Sequence, residues 1–288
     1  MAIAAVVQMT STSSVVENLA TAHELLARAA GGGAMLAVLP ENFALMGRHE
    51  RDKLAVAEDY DEQLDSGAIQ TWLKRVAREL KLWLVAGTIP IRARDEGDRM
   101  CGGRVAAACL IIDADGNCVA RYDKIHLFDV DIPGRNEVYR ESATIAPGNR
   151  VVVVATPVGR VGLSVCYDVR FPELYRAMQM QGAELFSVPA AFTVPTGEAH
   201  WDVLLRARAI ENLCYVLASA QVGEHANGRR TYGHSMIVNP WGEVLERIDA
   251  PQAGVVWMDV DIERQRSLRA GFPTLHHRRL GSDGTIDP

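Results

Sequence analysis

The stretch Val161-Gly162-Leu163-Ser164-Val165-Cys166-Tyr167-Asp168-Val169-Arg170-Phe171-Pro172-Glu173 passes from an apolar run into a polar turn and then into a helix start. Pro172 suits a first helical turn, where a missing N–H removes no hydrogen bond. Cys166 therefore stands where a buried strand emerges, a placement that holds a nucleophile's backbone while presenting its side chain. Two other ionisable residues repeat the placement: Glu41 follows Ala34–Pro40, and Lys124 follows Cys118–Asp123. A carboxylate base, a cation and a thiol at three strand ends suggest one site for covalent hydrolysis at a carbonyl or nitrile carbon.

Working outward, Ile3–Met9, Met35–Leu39 and Leu82–Ile89 read as strands, with Arg92–Gly103 an exposed charged loop. Ser14-Val15-Val16-Glu17 has the spacing of a capping box. Its helix runs to about Ala30 and stops at Gly31-Gly32-Gly33. Ser66 is placed to cap a second helix, whose stripe is Ile69, Trp72, Leu73, Val76 and Leu80. Val105–Ile112 and Cys118–Tyr122 form a hairpin pattern, as do Val151–Thr156 and Val161–Val165. His126–Asn149 is a long loop region, a length often kept for function.

A helix follows Pro172, a strand spans Glu184–Val188, and a second helix starts near Ala199. Cys214–Ala220, His234–Val238, Glu243–Ile248 and Gly254–Val260 complete the second sheet in this reading. The order strand–helix–strand–helix–strand, then a run of strands, occurs twice. Nearly uninterrupted apolar strands point to burial on both faces. Two sheets packed together with helices outside, a four-layer α-β-β-α sandwich, accommodate this pattern.

Composition narrows the functional classes. The chain has 288 residues, 48% hydrophobic, with a formal net charge of -6 and no long basic stretch, which argues against a nucleic-acid partner. No apolar run approaches membrane-spanning length, and the short apolar N-terminus lacks the basic leader of a signal peptide. Five cysteines without a Cys-x-x-Cys pair fit neither a disulfide framework nor a zinc site, so reduced cytoplasm is the expected compartment. His276-His277 has no acidic or cysteine partners nearby in sequence and reads as solvated or interface residues rather than a metal site.

Each candidate also has a plainer reading. A free cysteine is commonly a small buried hydrophobe. Glu41 could be a helix-start carboxylate, and Lys124 could pair with Asp123 or Asp129. Spacing alone leaves these open.

The chain resembles the nitrilase (carbon–nitrogen hydrolase) superfamily over essentially its full length. The matching motifs are Leu39-Pro40-Glu41-Asn42-Phe43, Tyr122-Asp123-Lys124-Ile125-His126-Leu127-Phe128-Asp129 and Gly162 to Leu174 around Cys166. The resemblance implies Glu41 as general base, Lys124 as cationic stabiliser, Cys166 as nucleophile and Glu141 as a second glutamate. It also implies an oxyanion contact from the Tyr167 backbone, an amidohydrolase passing through a thioester, and no metal or organic cofactor. Within the superfamily the chain is similar to the Nit1-like branch acting on deaminated glutathione, on segments including Arg170-Phe171-Pro172-Glu173-Leu174, Ala190-Ala191-Phe192-Thr193 and Thr231-Tyr232-Gly233-His234-Ser235-Met236.

The close alternative is an omega-amidase acting on 2-oxoglutaramate. A non-catalytic scaffold of the same fold is a third reading. Both substrates carry a carboxylate, for which Arg170 is the first candidate cation, unless it pairs with Glu173; Phe192 and Thr193 are candidate pocket walls. The expected layout is a carbon–nitrogen hydrolase domain over residues 1–270 and a C-terminal tail over 271–288. The resemblance implies a homodimer or higher homo-oligomer, and the tail has a composition suited to the interface.

Overall fold

The computed structural model describes residues 2–94, 100–131 and 138–280. The first sheet has the spatial order Gly254–Asp259, Ile3–Gln8, Leu36–Val38, Trp83–Val85, Met100–Ile112 and Ile89–Arg94, with Cys118–Asp123 also paired to Met100–Ile112. The second runs Val244–Arg247, Met236–Val238, Tyr215–Ala220, Leu185–Ala190, Gly159–Leu163 and Val153–Thr156. In each sheet three central strands are parallel and their outer neighbours antiparallel.

Side-chain alternation explains the layers. Ala4 and Val6 pack into one core with Val161, Leu163 and Val216 of the second sheet; Ala5 and Val7 point the other way, against Leu19, Ala22 and Leu26. Those last three lie on the helix Val15–Gly31, which with Ala68–Leu80 covers the outer face of the first sheet. Leu174 and Tyr175 on Pro172–Met180, and Trp201 and Leu205 on Val194–Asn212, pack on the second sheet. Each fully buried Val or Leu contributes roughly 1.5–3 kcal/mol. Strands apolar on both faces are stable only between two apolar layers, so the α-β-β-α sandwich anticipated from the sequence forms.

Several local expectations change. Gly254–Asp259 does not extend the second sheet; it crosses to pair antiparallel with Ile3–Gln8 in the first. The apolar run 82–89 is two strands, because Gly87 (φ 48) turns the chain and lets Ile89–Arg94 join the far side of Met100–Ile112. The stretch 92–103 is strand at both ends, with residues 95–99 outside the described residues. The helix expected near Ala199 begins at Val194, with Thr193 at its cap.

Two caps also differ. Ser66 does not cap Ala68–Leu80; the buried Glu58 carboxylate accepts from the Ile69 and Gln70 N–H groups at 2.6 and 3.1 Å. Ser14 Oγ does accept from Glu17 N at 3.4 Å, but the Glu17 carboxylate takes the Thr12 hydroxyl, whose oxygen in turn accepts from Ser14 N. The box closes through Thr12. Within 126–149 lie a short antiparallel pair, Asp129–Asp131 with Val138–Arg140, and the turn Glu141–Ala143; residues 132–137, like 281–288, are outside the described set. A helix not anticipated, Ile262–Gly271, follows the last strand.

Candidate active site

Glu41 sits on the turn after Leu36–Val38. Its peptide is held from both sheets: Asn42 N donates to Thr88 Oγ1 at 2.8 Å, and Gln221 Nε2 donates to Glu41 O at 3.0 Å. Gly87 packs against the Pro40 carbonyl so closely that an added Cβ would come within 2.0 Å of its oxygen.

Lys124 follows Cys118–Asp123. Its N–H donates to Ala107 O at 3.1 Å, and its carbonyl accepts from Gly148 N at 2.8 Å. The ammonium is 1% exposed and donates to Glu41 Oε1 at 2.8 Å and to both Glu141 oxygens at 2.9 Å. The surface pairing with Asp123 or Asp129 does not occur; Asp123 pairs with Arg121, and Asp129 accepts from Ser142 N. Burial works to lower the Lys124 pKa, but the carboxylates of Glu141 and Glu41 override it and hold the ammonium well above its ordinary value. Burial pushes Glu141 up, yet Lys124 and then Lys53 leave it below the usual glutamate value. Phe128 N donates to Glu141 Oε2 at 2.7 Å.

Cys166 opens the short turn Cys166–Arg170 directly after extended Val165, with φ of 51°. A left-handed cysteine costs of order 1–3 kcal/mol and persists only where the surroundings enforce it. Asp168 supplies the enforcement: fully buried, it accepts from Val165 N at 2.8 Å, the Tyr122 hydroxyl at 2.7 Å and His126 N at 3.0 Å. One carboxylate thus ties the cysteine turn to the strand and loop that carry Lys124.

The Cys166 thiol lines the same cavity as the Glu41 carboxylate, the Lys124 ammonium and Ala191. Burial, reinforced by the negative Glu41, pushes the thiol pKa up against a smaller opposing pull from Lys124. The resting sulfur is therefore a neutral thiol beside a carboxylate able to take its proton. Lys124 stands beside the same carboxylate, positioned to stabilise developing negative charge.

All eight residues singled out in the sequence line one cavity of about 190 Å3: Glu41, Lys124, Glu141, Cys166, Tyr167, Arg170, Phe192 and Thr193. The Arg170 guanidinium lies over the rings of Phe192 and Tyr167, at 5.2 and 5.6 Å, with Nη1 3.2 Å from His200 Nδ1. Among the described residues no carboxylate is within ion-pair distance of Arg170, so the alternative pairing with Glu173 does not form. Burial lowers its pKa somewhat, and His200 is lowered by burial and by Arg170.

Other lining residues escaped the sequence reading: Glu50, Lys53, Tyr139, Thr196 and Arg229. None follows an apolar run directly, so the strand-end signal could not find them. Asp168 lay two residues from Cys166, but its partners are 42 and 46 positions away.

Two sheets carrying this thiol–carboxylate–ammonium cluster define a hydrolase fold of one class, and the chain belongs to the carbon–nitrogen hydrolase family, whose profile matches residues 3–270. The protein is a hydrolase acting on carbon–nitrogen bonds. It is 41% identical to the deaminated glutathione amidase of Yersinia enterocolitica, over 96% of this chain and 93% of that protein. It is 40% identical to the deaminated glutathione amidase of Homo sapiens, over 98% of this chain and 84% of that one. Among solved structures, the C. elegans NitFhit protein superposes with a TM-score of 0.85 at 39% identity, covering 97% of this chain and 66% of the NitFhit chain.

Proposed function

We propose that the protein cleaves the amide of deaminated glutathione through a Cys166 thioester. The observation that carries this reading is the buried Cys166 thiol in one cavity with Glu41, where Lys124 is clamped between Glu41 and Glu141. The identities to the two amidases support the choice of substrate.

In this mechanism Glu41 takes the thiol proton as sulfur attacks the amide carbon. Negative charge develops on the amide oxygen, where Lys124 and the Tyr167 N–H are the stabilising donors. Removing one such preorganised donor typically costs roughly 3–4 kcal/mol of transition-state stabilisation. Protonated Glu41 then gives its proton to the leaving nitrogen, the C–N bond breaks, and an acyl thioester remains. The leaving group is ammonia from a primary amide and the amine of cysteinylglycine from deaminated glutathione. Glu41 next takes a proton from water, which attacks the thioester; the C–S bond breaks, the acid is released and the thiol is restored. Glu141 keeps Lys124 charged, and every step uses groups on the chain without a cofactor.

For substrate placement, Arg170 holds the carboxylate of the keto acid, while Phe192 and Thr193 form the wall beside it. The exposed edge-to-face pair Trp241 and Phe272, 5.6 Å apart, supports a homo-oligomer with its interface near the start of tail 271–288, outside the hydrolase domain 1–270. The free thiols Cys109, Cys118, Cys166 and Cys214 are consistent with a cytoplasmic setting, and among the described residues no helix is long and apolar enough to cross a membrane.

The test is release of 2-oxoglutarate from deaminated glutathione, compared with 2-oxoglutaramate and simple nitriles. Deaminated glutathione should give the highest kcat/KM. A higher value for 2-oxoglutaramate would make the enzyme an omega-amidase. No turnover of any amide, with folded protein, would leave a scaffold.

A further inference from the structure

The charges lining the cavity do not cancel. Its carboxylates among the described residues are Glu41, Glu50 and Glu141. Lys124 shares its single positive charge between Glu41 and Glu141, and Lys53 pairs with Glu50 at 3.0 Å, so these two cations leave one negative charge over. Arg140 is paired with Asp131 at 2.7 Å. Two lining cations are left without an ion-pair partner among the described residues, Arg170 and Arg229.

These two are fastened to different parts of the wall. Arg170 lies on Phe192 and Tyr167. Arg229 comes from the turn between the strands Val222–Glu224 and Arg230–Tyr232, donates through Nη2 to the Ala191 carbonyl, and lies 5.2 Å over the Tyr139 ring. Its Nε is buried and has no hydrogen-bond partner among the described residues. An orphaned buried donor on a charged group is costly, and a carboxylate is the ligand that satisfies such a donor best.

We infer that Arg229 is a specificity-determining residue that binds a second substrate carboxylate, carried on the leaving amine. This rests on the function proposed above and sharpens it. The favoured substrate is then an amide with two anionic ends: a keto-acid carboxylate toward Arg170 and a free C-terminal carboxylate toward Arg229. Deaminated glutathione has both, through its oxoacyl and glycyl ends. 2-Oxoglutaramate has only the first, so its chemistry leaves Arg229 unpaired. Ala191 joins this subsite to the reaction centre, since it lines the cavity with Cys166 while its carbonyl holds Arg229.

The experiment compares deaminated glutathione with the same compound carrying a glycine carboxamide in place of the terminal carboxylate, using wild type, Arg229→Gln and Arg229→Lys. Wild type should prefer the free acid by about tenfold or more in kcat/KM, expressed mainly in KM, as for loss of a charge-assisted contact. In Arg229→Gln that preference should collapse toward unity, and Arg229→Lys should retain part of it. Equal wild-type kcat/KM for acid and carboxamide would overturn the inference. So would an Arg229→Gln enzyme that keeps the wild-type ratio, including one equally slowed on both compounds, since that pattern marks a purely structural role. Failure of folded wild type to release 2-oxoglutarate from either compound would instead remove the underlying function, and the inference with it.

Discussion

The Tyr122 hydroxyl donates to Asp168 Oδ2 at 2.7 Å, with both residues essentially fully buried. This bond joins the strand leading to Lys124 with the turn beginning at Cys166. Burial, together with the adjacent Asp168 charge, keeps the phenol protonated, so it serves as a donor at any working pH. Replacing Tyr122 with Phe should cost about 1–3 kcal/mol, because the buried carboxylate loses an acceptor contact that nothing replaces. The effect should be visible in urea denaturation. If the hydroxyl also positions the site, kcat should fall beyond what residual unfolding explains; a fully folded Tyr122→Phe enzyme with unchanged kcat would limit the bond to stability.

Cys166→Ala should abolish turnover, by at least about 10³-fold, with a circular dichroism spectrum like wild type. Glu41→Gln should slow both formation and breakdown of the thioester, each on the order of 10²-fold or more. Rapid-quench kinetics separates the steps. A Glu41→Gln enzyme with neither step altered would remove the carboxylate from the base role.

The depressed Glu141 pKa makes a pH prediction. A carboxyl whose folded value lies below its ordinary 4.5 contributes stability above that ordinary value and loses it as pH falls through the depressed one. The thermal midpoint of wild type should therefore fall on acidification from about pH 5 downward. Glu141→Gln should start lower and fall less steeply over the same range. Parallel curves for the two proteins would count against the linkage.

Gly148 stands where its Cβ would come within 2.1 Å of the Asp123 backbone oxygen, one residue before Lys124. Gly148→Ala should force the two segments apart, costing about 1–3 kcal/mol. The Gly148 N to Lys124 O bond should weaken with it. Loss of activity should exceed loss of stability, since the ammonium must keep contacts of 2.8 and 2.9 Å to two carboxylates. Equal thermal midpoints for Gly148→Ala and wild type would contradict this.

Arg170→Ala should raise KM for carboxylated amides by roughly 10- to 100-fold through loss of a guanidinium–carboxylate contact. Steady-state kinetics on deaminated glutathione reads it directly. An unchanged KM would take Arg170 out of substrate binding and leave it as packing on Phe192 and Tyr167.

Much of the fold was legible because strand burial is a local pattern. Ile3–Gln8 is apolar on alternating and intervening positions alike, and only a strand between two apolar layers buries both sets. The Pro172 helix, the hairpin of Val105–Ile112 with Cys118–Tyr122 and the strand-end positions of Glu41, Lys124 and Cys166 follow from signals within a few residues. The misreadings share one cause. Gly254–Asp259 is a good strand wherever it pairs, and its sequence does not say which sheet receives it. Ser66 is a good cap by local rules, yet Glu58 supplies the anion from elsewhere in the chain. Gly87 breaks an apolar run because the Pro40 carbonyl occupies the space a side chain would need, and that neighbour is 47 residues earlier.

The chain alone determined which chemical groups are present and which stand at the ends of buried strands, because hydrophobic periodicity and turn chemistry act over short separations. Tertiary structure decided which groups neutralise one another. Lys124 reaches Glu41 across 83 positions, Gln221 holds the Glu41 peptide across 180, and Asp168 fixes the cysteine turn through Tyr122 and His126. Protonation and the charge balance of the cavity depend on distances of about 3 Å between such remote residues. Electrostatic and hydrogen-bond energies fall too steeply with separation and burial for sequence spacing to carry them.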